Sequence, residues 1–92
     1  MIRTFSCSDT EAFFAGRPPA RFRNIGTVAE RKLQMLDCAA SLAFLSSPPG
    51  NRLEALRGNR AGQHSIRIND QWRICFIWTD EGPEQVAIVD YH

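Results

Sequence analysis

Apolar and polar residues alternate through the second half of the chain, and this alternation predicts two antiparallel strands. Ile66 and Ile68 alternate with polar residues, and the same period resumes at Trp72 and continues to Trp78. A turn at residues 69–71 would join the two strands. Pairing around this turn keeps the large apolar side chains on one face, which is what fixes the register of a one-sided sheet.

The same pairing decides what the opposite face carries, because it sets Arg67 across from Arg73 and Ile68 across from Trp72. Two like charges in directly opposed positions are mildly destabilising. A sheet that accepts this arrangement is suited to hold an anionic ligand on that face.

The rest of the sheet is predicted from three further segments and the turns that bound them. Pairing Trp78 with Gln85 across a six-residue loop sets Arg73 opposite Asp90. The predicted strands are Met1 to Cys7, Arg52 to Leu56 and Gln85 to Tyr91, with a flexible turn at Gly58 to Gly62.

A helix and a basic segment follow the first strand. Ser8 and Asp9 offer an N-cap for a helix that runs from Thr10 to Ala15 and stops at Gly16. The prolines within residues 17–23 exclude a regular helix there and favour an extended, exposed loop. The arginines of this loop could contact RNA or a protein partner.

A second helix opens at Thr27 and Glu30, which have the spacing of a capping box. Its apolar positions follow the helical period and form one stripe that is expected to pack on the sheet. The stripe contains Ala29, Leu33, Leu36, Ala40 and Phe44, and residues 46–50 end the helix.

Together these elements predict an α+β fold. The order is strand, helix, helix and then antiparallel strands, with the two N-terminal helices packed on one face of the sheet. A length of 92 residues leaves room for a single small core, so residues 1–92 are expected to form one domain. No apolar run is long enough for a signal peptide or a membrane span, which indicates a cytoplasmic protein.

The net charge is +1, and nearly all of the basic residues are arginine. Ten of the 11 lysines and arginines are arginine, and residues 51–73 hold five arginines against two acids. The planar guanidinium suits bidentate contacts to phosphate better than an ammonium does. Codon usage in a GC-rich genome would also enrich arginine, so the bias alone does not establish an anionic ligand.

The cysteines do not form a recognisable framework. Cys7, Cys38 and Cys75 lie far apart and include no C-x-x-C pair, which gives no support to a zinc site or a disulfide. Each is expected to be a small buried side chain. Neither a metal nor another cofactor is predicted.

The last residues and the arginine-rich region together carry groups that RNA cleavage requires. A base must take the 2′-hydroxyl proton, positive charge must stabilise the phosphorane, and an acid must protonate the leaving 5′-oxygen. His92 titrates near neutrality, Asp90 can orient it or raise its pKa, and Tyr91 can stack on a base or donate its hydroxyl proton. The positive charge is available from Arg57, Arg67 and Arg73.

Each of these residues also has an ordinary structural interpretation. A histidine such as His92 is more often a solvated chain end than a catalyst, and an aspartate such as Asp90 usually caps a strand or pairs with arginine. His64 is a second candidate histidine. Strand alternation places it with Ile66 on the apolar face, where a core or sheet-edge histidine is expected.

Two runs of sequence resemble a known family. Residues 53–76 read L-E-A-L-R-G-N-R-A-G-Q-H-S-I-R-I-N-D-Q-W-R-I-C-F, and residues 88–92 read I-V-D-Y-H. This pattern is similar to the HigB toxins of bacterial toxin–antitoxin systems, within the RelE superfamily. The resemblance implies a compact α+β ribonuclease that cleaves mRNA in the ribosomal A site. It also implies neutralisation by a HigA-type helix-turn-helix antitoxin.

The resemblance assigns roles to particular positions. His92 matches the family's catalytic histidine, Asp90 and Tyr91 match its neighbours in the active site, and Arg73 matches the arginine that faces the scissile phosphate. Position 54 departs from the pattern, since well-known relatives carry histidine where this chain has Glu54. Glu54 could act as general base with His92 as acid, or it could pair with an arginine and slow the reaction.

The remaining arginines are expected to bind RNA. Arg57 and Arg67 would lie near the reacting phosphate, while Arg52 and Arg60 would hold ribosomal RNA through salt-sensitive contacts. Positioning by the 70S ribosome would then supply much of the rate. Operator DNA is expected as a partner only through the antitoxin complex, and no membrane is expected.

Two other functions remain open at this point. One is a non-enzymatic toxin of the same fold that resembles the ParE group and poisons DNA gyrase. The other is an interaction domain that acts only in a complex with its antitoxin and DNA.

Overall fold

The computed structural model describes residues 1–47 and 49–90, with the side chain of residue 49 left out. Its α-helices are α1 (Ser8–Phe14), α2 (Gly26–Cys38) and α3 (Leu42–Ser46), and its strands are β1 (Glu54–Ala55), β2 (His64–Arg67), β3 (Trp72–Thr79) and β4 (Gly82–Asp90). Short 3₁₀ helices span Ala20–Ile25, Pro49–Asn51 and Gly58–Arg60. Within the described residues the strands form one antiparallel sheet in the order β1-β2-β3-β4, which confirms the predicted α+β class.

The hydrophobic core lies between the helices and one face of this sheet. The alternating apolar residues of β2, β3 and β4 point toward the helices, and the helical stripe of α2 meets them. The largest fully buried apolar side chains are Phe22, Leu33, Leu36, Leu45, Ile66, Ile74, Phe76 and Val86.

The predicted first strand is not a regular strand. Residues 1–7 run parallel to the outer edge of β4 and form a single bridge, between Phe5 and Val86. The Val86 N–H donates to the carbonyl of Thr4 at 3.0 Å, but the neighbouring Gln85 N–H donates to the Thr4 hydroxyl instead, at 2.8 Å. Gln85 has a positive φ of 53°, which turns its N–H away from a regular ladder and limits the pairing to one bridge.

The first helix and the basic segment also differ in detail from their predictions. Helix α1 begins at Ser8 with no side-chain cap, and it ends before Gly16, whose φ of 92° suits the predicted stop. The segment 17–23 is extended only at its prolines. From Ala20 it turns into a 3₁₀ helix that buries Phe22 completely, while its three arginines are exposed. The predicted exposure is thus confirmed for the arginines and wrong for Phe22.

Helix α2 is shorter than its apolar stripe predicted. Among the described residues no side chain caps its N-terminus, so the capping box does not form, and the helix ends at Cys38. The chain restarts as α3 because the Ser41 hydroxyl accepts a hydrogen bond from the Phe44 N–H at 3.3 Å and caps a new helix. Ala40 and Phe44 are therefore exposed, and Leu45 takes the buried position.

The hairpin of β2 and β3 confirms the predicted register. Arg67 pairs with Arg73, and the Ile68 N–H donates to the Trp72 carbonyl at 2.9 Å. Within the turn, the side-chain oxygen of Asn69 accepts the N–H groups of residues 71 and 72, each at 2.8 Å. An asparagine in this role stabilises a tight turn through its own side chain.

The predicted register of β3 and β4 was wrong. The turn between them has two residues rather than six, so Trp78 pairs with Pro83, and a bulge sets both Gln85 and Val86 against a single residue of β3. As a result Arg73 pairs with Val89, while Asp90 pairs with Trp72.

Candidate functional site

The face of the sheet that points away from the helices carries the candidate site. We call it the arginine face and define it by Glu54, Ser65, Arg67, Arg73 and Cys75. The register aligns these residues, since Glu54 pairs with Ser65, Ser65 pairs with Cys75, and Arg67 pairs with Arg73. Directly paired residues of antiparallel strands share a face.

Arg73 is the most firmly held group on this face. It is only 9% exposed, and its Nε donates a hydrogen bond to the Ser65 hydroxyl at 2.7 Å. Its Nη2 donates to the Arg52 carbonyl at 2.7 Å and approaches the Ser65 carbonyl at 3.4 Å. Contacts on two sides of the guanidinium fix its plane, so the positive charge has a defined direction.

The backbone at Arg52 is shaped to make this contact. Its φ is 45°, in the left-handed region that a non-glycine residue enters at a cost of about 1–2 kcal/mol. This conformation interrupts the extended chain, so the strand predicted from Arg52 to Leu56 is reduced to Glu54–Ala55. The Arg52 carbonyl is thereby available to accept the hydrogen bond from Arg73.

Glu54 lies next to this arginine. Its Oε1 is 3.9 Å from Arg73 Nη2, and its side chain is 50% exposed. It also lines an open groove with residues 55–57 along the outer side of β1. A carboxylate in this place can contact both the arginine and a molecule that enters from solvent.

The pKa of the Cys75 thiol depends on its burial and on the charged groups around it. Burial raises its pKa above the ordinary value, Glu54 adds to the rise, and the charges of Arg60 and Arg73 act in the opposite direction. The thiol is therefore neutral at physiological pH and contributes no charge to the site.

The four arginines that the sequence assigned to RNA binding differ in their surroundings. Arg67 pairs with Asp70, and Arg60 donates to the side chain of Gln63 at 3.3 Å. The side chains of Arg52 and Arg57 are exposed and make no hydrogen bond or ion pair with the described residues. The repulsion between Arg67 and Arg73 is thus reduced, because each has an acidic neighbour of its own. Asp70 pairs with Arg67, and Glu54 lies next to Arg73.

Asp90 does not share the arginine face by register. It pairs with Trp72, which packs against the core, and its Oδ2 accepts a hydrogen bond from Gln71 Nε2 at 3.1 Å. The other two residues of the predicted catalytic cluster, Tyr91 and His92, lie outside the described residues. The expectation that Asp90 stands opposite Arg73 is therefore corrected.

His64 occupies the apolar face, as strand alternation predicted. Its ring stacks on that of Phe76, with centroids 6.3 Å apart and planes inclined by 24°. Its Nδ1 is buried without a hydrogen-bond partner in the described residues. His64 is thus packed against the core and away from Arg73.

The cysteines and the question of a metal can be treated together. Cys75 is buried and Cys7 half-buried, but Cys38 is exposed, which corrects the expectation that all three are buried. Among residues 1–47 and 49–90, no group of three or more histidine, cysteine or acidic side chains is close enough to hold a metal ion. Over the same residues, no helix is both long enough and apolar enough to cross a membrane.

Sequence reasoning overlooked Ser65. The predicted hairpin register already contained the signal, because Ser65 lies two residues before Arg67 and is the diagonal neighbour of Arg73 on the same face. Diagonal neighbours of this kind are within reach of a long side chain.

The chain matches a family model described as a RelE-like toxin of the type II toxin–antitoxin system HigB. The match covers residues 18–92, which include both the hairpin and the arginine face.

Two curated proteins are similar to parts of the chain. Toxin HigB-1 of Vibrio cholerae is 52% identical over 50 residues, which cover 54% of this chain and 53% of that protein. An uncharacterized protein of Haemophilus influenzae is 38% identical over 61 residues, which cover 66% of this chain and 58% of that protein. The chain thus aligns with little more than half the length of these relatives.

Two solved structures share the fold. The YoeB–YefM complex from Staphylococcus aureus gives a TM-score of 0.62 at 23% identity and covers 100% of this chain and 95% of that one. The YoeB dimer from the same organism gives a TM-score of 0.58 at 20% identity, with 99% and 94% covered. At this level of identity the likeness concerns the fold alone.

Proposed function

The chain belongs to the HigB-like family of RelE-like toxins of type II toxin–antitoxin systems, and from this premise we propose that it is a ribosome-dependent endoribonuclease. It cleaves mRNA in the ribosomal A site and thereby inhibits translation. The observation that carries this proposal is the fixed guanidinium of Arg73, which is almost buried on the arginine face next to the half-exposed carboxylate of Glu54.

A fixed guanidinium is suited to the charge that develops during RNA cleavage. In-line attack of the 2′-oxygen on phosphorus forms a phosphorane whose equatorial oxygens gain negative charge. A donor that is already oriented stabilises this charge without reorganising, and removal of such a donor typically costs about 10²–10³ in rate. Arg73 supplies the donor, with Arg57 and Arg67 as further positive charges near the phosphate.

The proton transfers complete the proposed reaction. A base takes the proton of the 2′-hydroxyl as the bond from the 2′-oxygen to phosphorus forms. The bond from phosphorus to the 5′-oxygen then breaks, and an acid protonates that oxygen, leaving a 2′,3′-cyclic phosphate and a 5′-hydroxyl. We assign the acid to His92, with Asp90 and Tyr91 beside it. Glu54 is then the base; in the alternative assignment His92 is the base and Tyr91 donates the proton.

The ribosome enters the proposal because in-line attack needs the 2′-hydroxyl and the phosphorus to be held in a fixed geometry. Binding in the A site would orient the 2′-hydroxyl in line with the phosphorus, and orientation alone can supply several powers of ten in rate. Arg52 and Arg57, which are exposed and unengaged among the described residues, would contact the RNA, with Arg60 beside them.

We further propose that an antitoxin neutralises this chain. The family consists of toxins of type II toxin–antitoxin systems, and the YoeB–YefM complex contains a protein of the same fold bound to a partner. The proposed partner is a HigA-type helix-turn-helix protein. Operator DNA would be bound through that protein and not by this chain directly.

A primer-extension assay tests the proposal. A defined mRNA on programmed 70S ribosomes is incubated with the wild type or with His92→Gln, and binding of the antitoxin is measured for both. Cuts at the A-site codon that require ribosomes and disappear in His92→Gln, with antitoxin binding retained, support the proposal. Intact mRNA under conditions where the wild type still stops growth would overturn it and favour a gyrase poison.

A further inference from the structure

We propose that Ser65 is a positioning residue that sets the orientation of Arg73 for phosphate binding. This inference rests on the proposed nuclease function, since it concerns the same site. Ser65 itself has no exposed surface and does not touch substrate, so its effect would be transmitted through the guanidinium.

The geometry singles out Ser65 among the contacts of Arg73. Its hydroxyl is 2.7 Å from Nε, the one guanidinium nitrogen that lies on the side-chain stem. The carbonyl of the same residue lies 3.4 Å from Nη2, so one residue contacts the guanidinium at two points. The hydroxyl holds Nε while the carbonyl contacts hold Nη2, so together they restrict rotation of the guanidinium about the end of the side chain.

A contact with Glu54 explains why the Arg73 guanidinium needs a hydrogen bond to hold its orientation. Glu54 Oε1 lies 3.9 Å from Nη2 and attracts the guanidinium toward the solvent-exposed edge of β1. Without the Ser65 hydroxyl, the Nε–H would lose its acceptor in a buried place, and such a group gains by turning toward another partner. The hydrogen bond to Ser65 therefore opposes the electrostatic attraction to Glu54 and keeps the guanidinium in one plane.

Serine also suits the space. The position is completely buried between Glu54 of β1 and Cys75 of β3, where a longer polar side chain would displace its neighbours. Alanine fits the same space but removes the acceptor, so Ser65→Ala changes the hydrogen bond with little change in packing.

A double-mutant cycle tests the inference through activity. Ser65→Ala is made in the wild type and in Arg73→Lys, whose ammonium has no group equivalent to the Nε–H. Single-turnover cleavage of ribosome-bound mRNA is expected to fall about 10- to 30-fold in the wild-type background, with KM changed less than about twofold. In the Arg73→Lys background the same substitution is expected to change the rate less than about twofold.

Matched variants separate positioning from a general loss of structure. Ser46→Ala removes an exposed hydroxyl whose only hydrogen bond to the described residues is the one it donates to the Ala43 carbonyl, and it is expected to leave the rate unchanged. Ser65→Thr keeps the hydroxyl but adds a methyl group in a buried place, so its rate is expected to lie between those of Ser65→Ala and the wild type. An equal loss for Ser65→Ala in both backgrounds, or no loss in either, would overturn the inference.

A measurement that does not depend on cleavage keeps this inference distinct from the nuclease proposal. Nuclear magnetic resonance of the free protein follows solvent exchange of the Arg73 Nε–H, with the exposed Arg31 as reference. Exchange is expected to be slow in the wild type and at least about tenfold faster in Ser65→Ala. If the wild type cleaves no mRNA, the nuclease proposal fails. Equal exchange in the two proteins would refute the positioning role by itself.

Discussion

Glu54 and Arg73 approach each other across the first two strands, with the carboxylate oxygen 3.9 Å from Nη2 of the guanidinium. The distance allows a Coulombic attraction but not a direct hydrogen bond. A phosphate that binds Arg73 would therefore lie close to the negative charge of Glu54, which would repel it. Position 54 is therefore the place where a substitution should bear most directly on phosphate binding at Arg73.

Replacement of Glu54 by histidine is expected to accelerate cleavage. Glu54→His removes the negative charge beside the phosphate and introduces a group that titrates near neutrality, which suits proton transfer at pH 7. We expect an increase of about 3- to 30-fold in the single-turnover rate on programmed ribosomes.

Glu54→Gln is the matched control for this substitution, because it removes the charge and keeps the size. It is expected to strengthen RNA binding at low salt by a few-fold, and this gain should shrink as salt rises. A Glu54→His variant that cleaves more slowly than the wild type would show that the carboxylate itself is needed in the reaction.

Replacement of His64 by phenylalanine is expected to stabilise the fold, because it removes a buried nitrogen. Its Nδ1 has no hydrogen-bond partner among the described residues, while the ring already stacks on Phe76. His64→Phe keeps a ring and removes the unsatisfied atom, which we expect to stabilise the fold by about 1 kcal/mol. Thermal unfolding would detect this as a rise in Tm of about 4–8 °C.

His64→Gln serves as the comparison, since it retains a polar group in the same place and loses the ring. It is expected to lower Tm. If His64→Phe also lowers Tm, the nitrogen has a partner, such as a buried water.

The hairpin that presents the arginine face could be predicted from the sequence because its signals agree. Alternation in both strands and the Asn69 turn specify one register, and the observed pairing of Arg67 with Arg73 follows. The pairing of β3 with β4 could not be predicted, since the bulge at Gln85 depends on a positive φ that no sequence pattern specified. The shift by one residue moved Asp90 from the arginine face to the other side.

The site was predicted only in part for a related reason. The sequence predicts that Arg73 faces the phosphate, and this role stays a prediction. The environment of Arg73 could not be predicted, because it depends on the backbone of Arg52, whose φ of 45° directs a carbonyl toward the guanidinium. Likewise, the helical period of α2 continues past residue 38, but the Ser41 cap begins a new helix and leaves Phe44 exposed. Local hydrogen bonds decided both outcomes against the periodic pattern.

The cysteines are expected to differ widely in reactivity. Cys38 is exposed, whereas Cys75 is buried and has a raised pKa because of that burial. The thiolate is the reactive form, so an alkylating agent at pH 8 should modify Cys38 at least about 100-fold faster than Cys75. Mass spectrometry over time measures both rates, and Cys38→Ser provides the assignment. Comparable rates at the two positions would contradict the buried placement of Cys75.

The free energy of unfolding is expected to depend on pH because of Lys32. It is 8% exposed, and its ammonium donates to the side-chain oxygen of Asn51. Burial lowers its pKa below the ordinary value of 10.5, and the charges of Arg31 and Arg67 lower it further. Between the lowered pKa and 10.5 the unfolded chain binds more protons at this residue than the folded chain does. Stability should therefore rise with pH across that window, and the full penalty of the buried charge applies below it.

Lys32→Met isolates this contribution because methionine does not titrate. Urea unfolding of both proteins from pH 7 to pH 10 gives the difference in unfolding free energy, which should move in favour of the wild type as pH rises. A difference that stays constant over this range would show that the pKa of Lys32 is not lowered in the folded protein.

We propose above all that the fixed guanidinium of Arg73 stabilises the phosphorane during ribosome-dependent cleavage. The most direct test of this claim is the single-turnover cleavage rate of Arg73→Gln against Arg31→Gln, which loses the same charge at an exposed position on α2. Antitoxin binding and thermal unfolding confirm that both variants fold. We expect Arg73→Gln to lose at least about 100-fold and Arg31→Gln to remain within about twofold of the wild type. Equal rates for the two folded variants would contradict the claim.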